Sequence, residues 1–114
     1  MPTLPKEFLR GIELFNQGRF FECHEVWETI WLKASGDERE FLHAMIQAAA
    51  ALHHYRQGNL KGFRTVARRA ADRLEKLPKI LFQVDVQKFR FTLESFLAET
   101  DATLPHITLQ DLTS

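Results

Sequence analysis

His24-Glu25-x-x-Glu28 is the densest run of chemically capable side chains in the sequence. At about 100° per residue, Phe21, His24, Glu25, Glu28 and Leu32 share one side of a helix, while Phe20, Cys23, Trp27 and Ile30 share another. Both sides carry bulky apolar groups. The helix is therefore expected to have little purely solvent-facing surface and to hold His24, Glu25 and Glu28 at least partly enclosed. An enclosed carboxylate requires a charge partner, several hydrogen-bond donors or a metal. Counterparts come from a second stripe, in which His43, Gln47, Ala50 and His54 recur at spacings of four, three and four residues. If the two helices pack as an antiparallel hairpin, imidazoles, carboxylates and one carboxamide could share a pocket. The small Ala50 would leave room in it, and Trp31 would form a wall.

Three chemistries fit these residues. In the first, the cluster is a structural hydrogen-bond network that sets helix register, with the acids neutralised by Arg39, Arg56, Arg64 or Arg68. In the second, His24, Glu25, Glu28 and His54 hold a divalent metal such as zinc, manganese or iron. The motif is not the His-Glu-x-x-His of zinc proteases, and Glu40-x-x-His43 supplies one of the two Glu-x-x-His units of a di-iron bundle. In the third, Glu25 or Glu28 is a catalytic base partnered by His24 or His54, or a small ligand is held by His24, Gln47, His54 and Trp31. The expectation is a small helical binding or catalytic domain. The alternative is a non-enzymatic interaction scaffold whose hairpins present a groove to another protein. The residues alone do not decide whether this is an enzyme.

Five helices are expected to position these groups. Phe8, Ile12 and Phe15 mark an amphipathic helix from Pro5 to Gln17, ended by Gly18. The His-Glu helix runs from Arg19 to about Ala34, closed by Ser35-Gly36-Asp37, with Asp37 placed to cap the next helix. That third helix, about Glu38 to Gln57, is apolar nearly all round at Ala44–Leu52, which marks a helix surrounded by others. The fourth, Leu60 to Leu77, presents Phe63, Val66, Ala67, Ala70 and Leu74 before Pro78, and the fifth, Val86 to Glu99, follows a connector around Leu81 to Asp85. The tail Leu104-Pro105-His106-Ile107-Thr108-Leu109 alternates like an extended segment lying on the bundle. Shifted by forty residues, Phe15-Asn16-Gln17-Gly18 aligns with Tyr55-Arg56-Gln57-Gly58, the pattern of two stacked helical hairpins. The fold class is therefore all-α: a compact bundle of two hairpins, a C-terminal helix and an extended tail, forming a single domain over residues 1–114.

Composition excludes several classes. Lys plus Arg and Asp plus Glu number 15 each, so no global field draws in nucleic acid or an anionic membrane. The basic face of the fourth helix (Lys61, Arg64, Arg68, Arg69, Arg73 and Lys76) is interrupted by Asp72 and Glu75 and reads as a solvated surface. A single cysteine, Cys23, rules out an intramolecular disulfide and reads as a packed thiol beside Trp27. With no signal-like or membrane-length apolar run, a soluble cytoplasmic protein is expected. His53 is expected to point away from His54, and an apolar edge on the fifth helix to offer a homodimer contact. Partners are otherwise a small molecule or a protein.

The ordered run Phe15-x-x-Gly18-x-Phe20-Phe21-Glu22-x-His24-Glu25-x-x-Glu28-x-x-Trp31, followed by Phe41, Ile46-Gln47 and Gly58-Asn59-x-x-Gly62, resembles the domain-of-unknown-function family 309 of bacteria and archaea. The resemblance covers about residues 11–77, with a similar Pro105-x-Ile107-x-Leu109 tail. It implies a compact helical bundle with His-Glu-x-x-Glu as its signature, and no particular reaction. Ala44 stands where related sequences often have Gly, and Phe63 where a small Ala is common.

Overall fold

The computed structural model describes residues 4–99 and 103–110. Five helices follow in order: α1 Lys6–Asn16, α2 Phe20–Trp31, α3 Gly36–Arg56, α4 Leu60–Glu75 and α5 Val86–Ala98. Each packs against its neighbour in sequence, as short connections dictate, and α2 and α4 flank the central α3. The forty-residue repeat is visible as geometry. Gly18 and Gly58 adopt φ of +79° and +78°, the left-handed conformation that glycine enters without a Cβ clash. At each joint the next amide reaches back to the helix just ended, Arg19 to the Leu14 carbonyl at 2.8 Å and Asn59 to the His54 carbonyl at 2.9 Å. The Asn59 side chain then accepts from the Gly62 amide and caps α4. Contrary to expectation, Asp37 does not cap α3: the helix already starts at Gly36, so Asp37 lies in its first turn.

One contiguous core joins all five helices. Trp27 is its keystone, with ring centroids 5.8 Å from Phe8 and 6.0 Å from Phe15 and its indole N–H donating to the Phe8 carbonyl at 3.2 Å. It lies so close to α1 that a Cβ on Gly11 would stand 2.0 Å from Nε1. This contact fixes how α2 sits on α1, and with it the outward direction of the His-Glu face.

The connector between α4 and α5 is a small antiparallel hairpin, β1 Ile80–Leu81 with β2 Val84–Asp85. Its two turn residues, Phe82 and Gln83, take φ of 50° and 59°, the double left-handed turn that suits the twist of paired strands but strains residues bearing a Cβ. The aromatic side chain offsets that strain, since Phe82 lies 4.9 Å from Phe8 and 5.8 Å from Phe41. The tail joins this hairpin through a bridge between Leu109 and Val84. Asn16 clasps it from the other side, donating to the Ile107 carbonyl at 2.9 Å and accepting from its amide at 2.8 Å, as a strand neighbour would. No helix among the described residues is long and apolar enough to cross a membrane.

Candidate functional site

Helix α2 divides into three strips. Phe20, Cys23 and Trp27 are buried. His24, Glu28 and Trp31 form a half-buried flank, along which Trp31 and the neighbouring Phe21 touch α3. Phe21, Glu25 and Leu32 lie outermost, with Phe21 54% and Leu32 67% exposed. The expected partial enclosure holds for His24 and Glu28 but not for Glu25, which is exposed between Phe21 and Leu32, neither of which covers core.

The seam between α2 and α3 carries two groups of rings, Phe21 with His24 and His53 at one end and Trp31 with His43 at the other. Phe21 stacks on His24 at 6.2 Å and meets His53 of α3 at 5.5 Å. His24 Nε2 lies 3.2 Å from Glu28 Oε1, one turn along the helix. Trp31 packs against His43 at 5.3 Å, with the Arg39 guanidinium 4.5 Å from the indole centroid. Arg39 also donates to the carbonyls of Trp31 and Ala34 and so closes the C-terminal end of α2. Two ring nitrogens in this seam, His24 Nδ1 and Trp31 Nε1, are buried without a hydrogen-bond partner among the described residues.

Of the residues named from the sequence, the structure brings together His24 and Glu28, with Trp31 on the same flank. It does not bring in Gln47 or His54. Gln47 faces α4, where it accepts from Arg73 Nε at 3.3 Å, and Arg73 also pairs with Glu40. His54 is drawn into the α3–α4 joint, its Nδ1 3.2 Å from the side-chain Nδ2 of Asn59. The four side chains named as a metal set, His24, Glu25, Glu28 and His54, do not gather, and no group of three His, Cys, Asp or Glu suited to a metal ion occurs among the described residues. Nor do the named arginines neutralise the acids. Arg56 lies over Phe20 and donates to the Gly18 carbonyl, and Arg68 pairs with Asp72 and Glu94. Glu25 has no ion-pair partner among the described residues.

His43, the first residue of the counterpart stripe, does line the seam, and so does His53, which the sequence reading sets aside. His53 does diverge from His54, but towards Phe21, a contact legible only once α2 and α3 are known to be packed together. Burial lowers the His43 pKa, and the nearby Arg73 and Arg39 add to the effect against Glu40, so its imidazole is held neutral. Burial likewise pushes the Cys23 thiol well above its ordinary value despite a hydrogen bond to Phe15, as an inert core thiol requires. A separate surface cleft of about 480 Å³ lies between the start of α3 and the end of α4. It is lined by Asp37, Glu40, Arg69, Asp72, Arg73 and Lys76 with Leu77, three acids against three bases.

The family described as Domain of unknown function (DUF309) matches residues 8–66, from α1 into α4 and across the whole His-Glu seam. The chain belongs to the DUF309 family. A solved structure of a conserved hypothetical protein from Thermus thermophilus is 38% identical, with a TM-score of 0.71 over 84% of this chain and 99% of that one. An uncharacterized protein of Aquifex aeolicus (strain VF5) is 26% identical over 92 residues, covering 80% of this chain. The chain spans only 28% of that Aquifex protein. The Thermus structure shares the bundle, and neither protein's description names a metal, substrate or reaction.

Proposed function

We propose that this chain is a protein-interaction domain whose contact surface is the outer face of α2 together with its seam on α3. The observation that carries the reading is the stripe Phe21, Glu25, Glu28 and Leu32, in which two largely exposed apolar side chains bracket two carboxylates. Three of its members, Phe21, Leu32 and Glu28, are unfavourable for an isolated domain. Exposed Phe and Leu leave apolar surface in water, at about 25 cal/mol per Å². Glu28 occupies the last turn of α2, where the helix dipole disfavours a negative charge and the turn itself holds no basic residue. Choices that break local rules without an internal gain mark a functional surface. His24 then acts as a positioning residue, holding the Glu28 carboxylate while its ring supports Phe21. Occurrence of a similar segment within a longer Aquifex protein is in keeping with a module that joins other parts.

The test is site-specific photo-crosslinking in the native host, with the reactive group at Thr29, beside the stripe, and at the exposed Glu13 of α1 as control. Crosslinks at position 29 that are absent at position 13 and lost in Phe21→Ser/Leu32→Ser are expected. Equal crosslinking at both positions, or crosslinks indifferent to the double substitution, would overturn the reading.

A further inference from the structure

The stripe on α2 also specifies what it can bind. Phe21, Glu25, Glu28 and Leu32 follow one another at spacings of four, three and four. That is the spacing of a coiled-coil seam, so the four side chains lie on a line that a second helix can follow. Phe21 and Leu32 are eleven residues apart, about 16 Å along the axis, which asks for a partner helix of about three turns. Both ends are anchored: Phe21 is backed by His24 and His53, and Leu32 follows directly on the last turn of α2, which Arg39 closes. Between them the charge is uncompensated. Glu25 has no cationic neighbour among the described residues, and Glu28 has only the imidazole of His24.

We infer that the occupant of this surface is an amphipathic helix presenting two apolar residues that bracket two Lys or Arg, with the cations opposite Glu25 and Glu28. This rests on the interaction-domain reading above and adds the chemistry of the partner. A second copy of this chain fits poorly. A two-fold contact through the stripe would set Phe21 against Leu32 but Glu25 against Glu28, so that acid meets acid in both halves. Nucleic acid and anionic lipid are repelled by the same carboxylates. A basic helix gains twice, from the two carboxylates and from the negative end of the α2 dipole beside Glu28.

The experiment is an amide-shift titration of the isotope-labelled full chain with three synthetic helical peptides. The first carries Leu-Arg-Arg-Leu at spacings of four, three and four, the second Leu-Glu-Glu-Leu, and the third Ser-Arg-Arg-Ser. The first peptide is expected to move amides of residues 20–33 and to bind at least tenfold more tightly than either of the others. The preference should invert in Glu25→Lys/Glu28→Lys, whose dispersed spectrum reports that the fold is retained. Equal binding of the Glu peptide at α2 would overturn the basic partner while leaving the docking surface standing. If neither Leu-bearing peptide moves α2 amides, the docking surface falls and the partner with it. Shifts centred instead on Asp37 and Glu40 would overturn the inference by placing the attraction in the α3–α4 cleft. Self-association of the free chain abolished by Phe21→Ser would overturn it in favour of a second copy.

Discussion

Replacing Glu28 by Gln separates a contact surface from a structural network, because the two readings differ several-fold in its expected energetic effect. The His24–Glu28 pair is 31% and 44% exposed at its side chains, so breaking it should cost about 0.2–1 kcal/mol, as for other solvated pairs. Removing a negative charge from the last turn of α2 returns about 0.3–1 kcal/mol through the helix dipole. The two largely cancel, leaving a net change within about 0.8 kcal/mol. For 114 residues the unfolding entropy is about 0.24 kcal/mol per kelvin, so the melting temperature should move by no more than about 3 °C. Glu25→Gln, exposed and unpaired, should move it less. A buried network losing one charged member would instead forfeit about 3–5 kcal/mol, or about 12–20 °C. Thermal unfolding followed by circular dichroism at about pH 7 and low salt reads the difference directly. A fall of about 8 °C or more in Glu28→Gln would show that the carboxylate holds the fold, and the argument from unfavourable exposure would collapse.

Three further outcomes follow from the core and its clasps. Gly11→Ala should destabilise by about 1–3 kcal/mol or more, because the new Cβ would stand 2.0 Å from Trp27 Nε1 and must displace the indole from the Phe8 carbonyl. Urea unfolding measures the loss, and an unchanged midpoint would mean that α1 and α2 are packed differently. Asn16→Ala removes both hydrogen bonds to Ile107 and should raise amide exchange across residues 103–110 while sparing α3; an unaltered Ile107 amide would refute the clasp. His43 has its pKa lowered by burial and by Arg73, so the unfolded chain binds the proton more readily. Its contribution to stability is therefore fully present above the ordinary histidine value of about 6.5 and is lost as pH falls below it through the lowered value of the folded state. His43→Gln should flatten the acid side of the stability profile, and parallel profiles for the two proteins would contradict this.

Much of the bundle is legible in the sequence because its signals are local. The Gly18 and Gly58 joints announce themselves through one repeated pattern, and the all-round apolar run of α3 identifies the helix that the others flank. The hairpin at Ile80–Asp85 is not legible, because neither turn residue is a glycine; what stabilises Phe82 is packing on Phe8 and Phe41 from distant elements. The Asn16 clasp joins residues 91 positions apart and leaves no local trace. The site misleads in an instructive way. Phe21 and Leu32 read as burial signals, and that reading encloses Glu25 along with them, although it is exposed. Periodicity shows that residues share a face, but it does not say whether the face turns towards the core. Likewise the spacing of His43, Gln47 and His54 places them on one stripe of α3, yet they serve three different neighbours: Trp31 on α2, Arg73 on α4 and Asn59 at the joint.

Helix α2 thus does two jobs on opposite sides of one cylinder, which explains why its signature reads as both core and site. The inner strip of Phe20, Cys23 and Trp27 fixes the helix against α1 and the core, and Gly11 permits that approach only because it lacks a side chain. The outer strip is held in place by that packing and contributes little to it. Rigid support from behind is what makes an exposed Phe21 or Leu32 effective in recognition, since the backbone carrying them loses little further freedom on binding. The half-buried flank of His24, Glu28 and Trp31 lies between the two, fixing side chains along the seam with α3 without closing over them. Fold and recognition are in this way written on the same twelve-residue helix, separated by direction rather than by position in the chain.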